Sequence, residues 1–203
     1  MPERFHRRSI RLNGYDYTRA GAYYVTACTH ERAHMFGDVA DAIMVPNAMG
    51  AAVQRCWDAI PEHMPMVVCD AFVVMPNHVH GIIVITDMVA SDDAMAGGWS
   101  VGAGNFRPVQ PPVPPADMIT PPDNAKRIMP VMQKGSLGHI MQTFKAAVSR
   151  QAIRDGLMPR GAPIWQRGYY EHIIRDGAAH DRIAQYIADN PANWPKDRFQ
   201  GAQ

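Results

Sequence analysis

The chain has 203 residues, 47% of them hydrophobic and 19% charged, with a formal net charge of +1. That supplies apolar material for one domain-sized core plus an excursion, is short for two full domains, and excludes a protein that coats nucleic acid by bulk charge. No apolar run approaches the roughly 20 residues needed to span a bilayer, and the amino-terminal stretch MPERFHRRSIRL is basic without the apolar core of a secretory signal, so a cytoplasmic protein with no membrane partner is expected.

The three cysteines, Cys28, Cys56 and Cys69, are far apart and form no C-x-x-C pair, which reads as reduced core thiols rather than a disulfide framework or a zinc knuckle. Charge is uneven along the chain. Arg4, Arg7, Arg8 and Arg11 open it, Asp87, Asp92, Asp93, Asp117 and Asp123 make the middle acidic, and Lys134, Lys145, Arg150, Arg154, Arg167 and Arg175 follow. Two basic segments that converge in space would make a phosphate-binding surface hidden by the average; the competing reading is a set of ordinary solvated arginines.

In chain order, AYYVTACTH (22–30) is rich in β-branched and aromatic residues and predicts a first strand. Residues 47–60 place Met49, Val53, Trp57 and Ile60 at helical spacing behind Asn47, a plausible N-cap. Residues 66–76 and 78–85 predict two strands paired antiparallel across a Pro76-Asn77 turn. From about 88 to 134 the composition turns to Pro, Gly, Ala and Asp, too poor in apolar surface to offset the entropy of ordering, which predicts a flexible or polyproline-like insertion. Helical periodicity resumes over 136–153 with Ser136 as N-cap, residues 164–175 predict a last strand, and residues 178–191 a last helix stopped at Asn190-Pro191. The order predicts an α+β fold with an antiparallel sheet and helices covering one face.

Within VVMPNHVHGIIVI, His78 and His80 are one residue apart in a β-branched run, so strand alternation points both imidazoles to one side. Two same-facing imidazoles in an apolar strand incur desolvation unless they meet a partner, which favours a metal or phosphate site over two separately satisfied core histidines. A divalent ion held by two imidazoles needs a further polar ligand, for which Glu171, His172, Asp189 and Asn190 are candidates. Tyr186 and Asn190 stand four residues apart, one helical turn, which sets a phenol beside an amide; alternatively Tyr186 packs in the core and Asn190 only caps the helix.

MPNHVHGIIVI, SLGHIMQTFKAAVSRQ, IWQRGYYEHIIRD and YIADNP, in that order, together with the opening RRSIRLNGYDYTRAGAYYVTACTHERAHMFG, resemble the REP-associated tyrosine transposases, relatives of the IS200/IS605 transposases within the HUH endonuclease superfamily. The likeness covers nearly the whole chain except the Pro-rich insertion and the carboxyl terminus. It implies a single domain over 1–203 with a ferredoxin-like antiparallel sheet. It places the paired metal ligands on His78 and His80, the catalytic tyrosine on Tyr186 and a third ligand on Asn190, with Tyr169 and Tyr170 as rivals for the nucleophile.

The implied activity is single-strand DNA cleavage and rejoining through a 5′-phosphotyrosine, assisted by Mg2+ or Mn2+. The alternative is a DNA-hairpin-binding protein without cleavage. The implied partner is single-stranded or hairpin DNA of REP-like palindromes, with Arg7, Arg8, Arg11, Lys145, Arg150, Tyr170 and His172 as DNA contacts and Tyr23, Trp165 or Tyr170 as platforms for an unpaired base. No obligate protein partner is implied, and the protomer acts as a monomer or homodimer.

Overall fold

The structure is a computed structural model that describes residues 15–86, 133–197 and 199. Arg7, Arg8 and Arg11, and all of the expected insertion except Gln133 and Lys134, lie outside the described residues. No helix among the described residues is long and apolar enough to cross a membrane.

Strand β1 (Gly21–Cys28) pairs antiparallel on one side with β5 (His78–Ile85) and on the other with β6 (Tyr170–Ile174), and β5 pairs with β4 (Val67–Met75). The sheet order is β4-β5-β1-β6. Helix α1 (Ala48–Asp58), followed by the short α2 (Ile60–His63), connects β1 to β4, and α3 (Leu137–Arg154) stands between β5 and β6. Set aside β2 and β3, and this is the β-α-β-β-α-β arrangement with the first and third sheet strands central, the expected ferredoxin-like α+β class. Both predicted caps form. Asn47 Oδ1 accepts from the Met49 and Gly50 amides at 2.9 and 3.0 Å, and Ser136 Oγ accepts from the His139 amide at 3.2 Å.

Period-two alternation splits the sheet into two unlike faces. Tyr23, Val25 and Ala27 of β1 and Val79, Ile83 and Ile85 of β5 pack against Val53 and Trp57 of α1 and Leu137, Ile140, Phe144 and Val148 of α3. The expectation of helices on one face holds for these two. Helix α4 (Gly177–Ala188) crosses the other face, where Ile187 meets Ala22, Tyr24, Ile82 and Ile174, with Ile183 and Ala184 alongside. The last predicted helix is also two helices: α4 ends at Ala188, and α5 (Asn190–Asn193) begins a new turn with Pro191 in its first positions.

A hairpin of β2 (Gly37–Ala40) and β3 (Ile43–Pro46) was not expected from the sequence. Its two loop residues, Asp41 and Ala42, have φ of 50° and 62°, the left-handed values a two-residue hairpin loop needs. Neither is the Gly that usually marks such a loop.

Gly81 faces the helix layer from β5, and a Cβ there would lie 2.5 Å from the Trp57 ring and 3.0 Å from Phe72. Trp57 is itself stacked on Phe72 at 4.2 Å and edge-on to Phe144 at 5.5 Å, so it has no free direction to retreat. Gly81→Ala is therefore expected to destabilise the fold by about 1–3 kcal/mol, measurable as a lower urea midpoint with an unchanged slope.

Candidate functional site

The β4–β5 turn builds the first half of the site. Asn77 is fully buried, and its Nδ2 donates to the carbonyls of Arg32 (3.1 Å) and Phe199 (2.8 Å). Those two acceptors fix the amide orientation, so Oδ1 faces His78 Nδ1 at 2.9 Å and accepts its hydrogen. In the neutral ring this leaves His78 Nε2 without a hydrogen of its own. Glu31 and Arg32, both at positive φ (54° and 57°), form the turn that brings the Arg32 carbonyl to Asn77.

His80, also fully buried, turns its Nε2 to within 3.1 Å of His78 Nε2. Its Nδ1 meets the hydroxyls of Tyr24 (2.7 Å) and Thr26 (2.8 Å) on the neighbouring β1. After α5 the chain returns across the pair. Asp197 Oδ2 comes to 3.8 Å from His78 Nε2, the Phe199 ring centre lies 4.6 Å from that of His78, and Trp194 lies at 6.0 Å. His78, His80 and Asp197 each offer a ligand atom, all within 4.8 Å of one another, a group that could hold a metal ion.

On the rim, Tyr186 of α4 is 44% exposed while its ring lies 5.4 Å from that of His80 and 6.4 Å from that of Tyr24. Tyr186, Asn190 and Asp197 line one cleft of about 490 Å³ together with Tyr24, Tyr170 and Lys196. Asn190 is 1% exposed, and its Oδ1 has no hydrogen-bond partner among the described residues. A buried carbonyl oxygen without a donor is chemically suited to a cation. Two imidazole nitrogens and a carboxylate make a mixed N/O donor set of the kind that binds divalent cations.

A protein of Haemophilus influenzae, itself uncharacterized, is 36% identical to this chain over 197 residues, covering 96% of this chain and 93% of its own. Among solved structures, a REP-associated tyrosine transposase bound to a REP hairpin superposes with a TM-score of 0.51 at 15% identity, over 91% of this chain and 74% of that one. The chain belongs to the same family as the Haemophilus protein, and its fold is that of a REP-associated tyrosine transposase. No protein-family model matches it.

Within this transposase fold the expected site residues separate. His78, His80 and Tyr186 come together, and Asn190 lines the cleft beside Tyr186, arriving on its own short helix rather than one turn along α4. Tyr170 and His172 lie opposite Thr26 and Tyr24 in the sheet register, hence on the cleft face, and both are exposed. Arg150 does not reach the cleft. It lines a groove between α1 and α3, on the opposite face of the sheet.

Lys145 is committed elsewhere: its ammonium donates to the carbonyls of Gln166 (2.7 Å) and Gly168 (2.8 Å), and burial pulls its pKa down to about 8. It pins a loop rather than presenting charge. Tyr23 is fully buried on the helix side and offers no face to a base, and Trp165 is half-buried against Phe36 and Phe144. Of the other ligand candidates, Glu171 points to the helix side opposite Val25, and Asp189 is exposed and does not line the cleft. Asp197, Asn77, Tyr24 and Thr26 carry no local sequence signal for their parts in the site.

Helix α4 is clamped to β4 where His180 Nε2 meets Asp70 Oδ2 at 2.6 Å. Burial alone would lower the His180 pKa, but the hydrogen bonds and charges of Asp70 and Asp181 outweigh it and hold the imidazole above its ordinary value. A raised folded-state pKa means that the clamp stabilises fully below the unfolded value of about 6.5 and is lost as pH rises through the folded one. Asp70→Asn should therefore lower Tm near pH 6, and thermal melts should show the gap to wild type closing as the medium becomes alkaline.

Proposed function

We propose that this protein cleaves and rejoins single-stranded DNA beside a hairpin, with Tyr186 as the nucleophile. The observation that carries the reading is the exposed Tyr186 ring 5.4 Å from the buried His80, over one cleft that also exposes Tyr170 and ends at Asp197. The REP hairpin held by the structural neighbour makes a REP-like palindrome the first substrate to test.

In this reading the Tyr186 phenol oxygen attacks the phosphorus of a phosphodiester in the cleft. The bond from phosphorus to the 3′-oxygen breaks, the phenolic proton passes to cleft water, and water supplies a proton to the departing 3′-oxygen. The products are a 5′-phosphotyrosine and a free 3′-hydroxyl, which can return to reverse or transfer the bond. His78 and His80 are buried beneath the tyrosine, with Nδ1 of each already engaged, which suits them as ligands rather than as the general base of the cleavage step. Held by His78, His80 and Asp197 with Asn190 as a further donor, Mg2+ or Mn2+ would neutralise charge on the non-bridging phosphate oxygens as a Lewis acid. Tyr170 stacks a base at the cleft edge, His172 contacts the same strand, and Arg7, Arg8 and Arg11 contact phosphates.

The test is incubation with a single-stranded REP-like hairpin and Mn2+, followed by denaturing electrophoresis. Wild type is expected to give a covalent protein–DNA adduct on the peptide containing IAQYIADNP, and Tyr186→Phe none, while binding the hairpin normally because only the hydroxyl is removed. His78→Ala and His80→Ala should likewise lose the adduct and keep most hairpin affinity, which comes from phosphate contacts. Binding by wild type without any adduct would instead identify a non-catalytic hairpin-binding protein.

A further inference from the structure

With both rings neutral, the 3.1 Å contact between the Nε2 atoms of His78 and His80 admits two proton arrangements. Two bare lone pairs repel at that distance, so either one nitrogen donates a hydrogen to the other, or both lone pairs converge on a shared cation. In its neutral form His78 cannot be the donor. Its one hydrogen is on Nδ1, held by Asn77 Oδ1, and the Asn77 amide cannot reverse without losing its bonds to the Arg32 and Phe199 carbonyls.

His80 is held differently. Its Nδ1 faces the hydroxyls of Tyr24 at 2.7 Å and Thr26 at 2.8 Å, themselves 3.1 Å apart. A hydroxyl, unlike an oriented amide, changes from donor to acceptor by rotation about one bond.

We propose that Tyr24 and Thr26 are positioning residues that form a tautomer switch for His80. With Thr26 donating to Tyr24, the Tyr24 hydroxyl donates to Nδ1 while His80 Nε2–H bonds to His78; the two hydroxyls accept from Nδ1–H when both Nε2 lone pairs hold a divalent cation. The proposal rests on the metal reading above. In the change one proton leaves Nε2 for the cleft, and one reaches Nδ1 from the hydroxyl of Tyr24, a residue that lines the cleft, and the hydroxyl regains a proton from cleft water. The ring stays neutral throughout, and neither arrangement leaves a buried nitrogen unpaired. His78 is thus the fixed ligand and His80 the adaptable one. A purely packing role would not need the hydroxyls, because the Tyr24 ring already stacks on His80 at 5.5 Å between ring centres.

The test uses the full chain labelled with 15N, with Zn2+ as a diamagnetic probe. Two-bond 1H–15N correlations report which ring nitrogen carries the hydrogen. Without metal, His78 is expected as the Nδ1–H tautomer and His80 as Nε2–H; with zinc, both become Nδ1–H. The shape-preserving double variant Tyr24→Phe, Thr26→Val should bind zinc about 10–100-fold more weakly in a chelator competition, and restoring a hydroxyl as Tyr24→Phe, Thr26→Ser should recover much of the loss.

His80 already Nδ1–H without metal, or unchanged zinc affinity in the folded double variant, would overturn the switch while leaving the metal site standing. Zinc that perturbs neither histidine would remove the metal reading and the switch with it. The wild-type spectra decide the tautomers even if the double variant does not fold.

Discussion

Three segments distant in sequence meet on one carboxamide. Asn77 is fully buried and engages the Arg32 carbonyl, the Phe199 carbonyl and His78 Nδ1 at once. Each of those groups, left unpaired in the interior, would cost about 1–3 kcal/mol. The turn after β1, the β4–β5 turn and the carboxyl-terminal segment are therefore favoured together or not at all. The metal-ligand geometry follows from this tie, because it selects the His78 tautomer and carries the chain past Asp197 over the imidazoles.

The sheet converts that tie into a site by keeping its two faces chemically distinct. One side of β5 presents Val79, Gly81 and Ile83 to a densely packed layer, where Trp57 occupies the space Gly81 leaves open. The other side presents His78, His80 and Ile82. Large aromatics lock the strand on its apolar side, and Asn77, Tyr24 and Thr26 hold the imidazoles on the other. Helix α4 is seated more lightly, on Ile187, Ile183 and Ala184, with the His180–Asp70 clamp beside them. This is the element that carries Tyr186, so the proposed nucleophile rides on a thin apolar contact while the two histidine ligands sit on the sheet.

Much of this was legible from local pattern. Alternation placed His78 and His80 on one face, helical spacing and the Asn47 and Ser136 caps located α1 and α3, and the Pro76-Asn77 turn paired β4 with β5. These signals are short-range: a period, a cap or a turn is encoded within a few residues, and burial reinforces it. The β2–β3 hairpin escaped notice because its strands are four residues each and Asp41-Ala42 adopts positive φ without glycine.

Tertiary structure alone decided which polar groups meet. Lys145 and Arg150 look alike as basic residues five apart on one helix, yet the first is spent on two carbonyls and the second faces a groove on the far side. Asp197 is one acid among many until the return of the chain after α5 sets it beside His78. Tyr24 and Thr26 are ordinary strand residues until β1 pairs with β5 in the register that puts Thr26 across from His80. By itself the sequence determined the elements, the common face of the two histidines and the chemistry those side chains offer, since each depends on neighbours along the chain. Ligand, loop anchor and hydroxyl partner were decided by contacts between residues tens of positions apart, which no local period encodes.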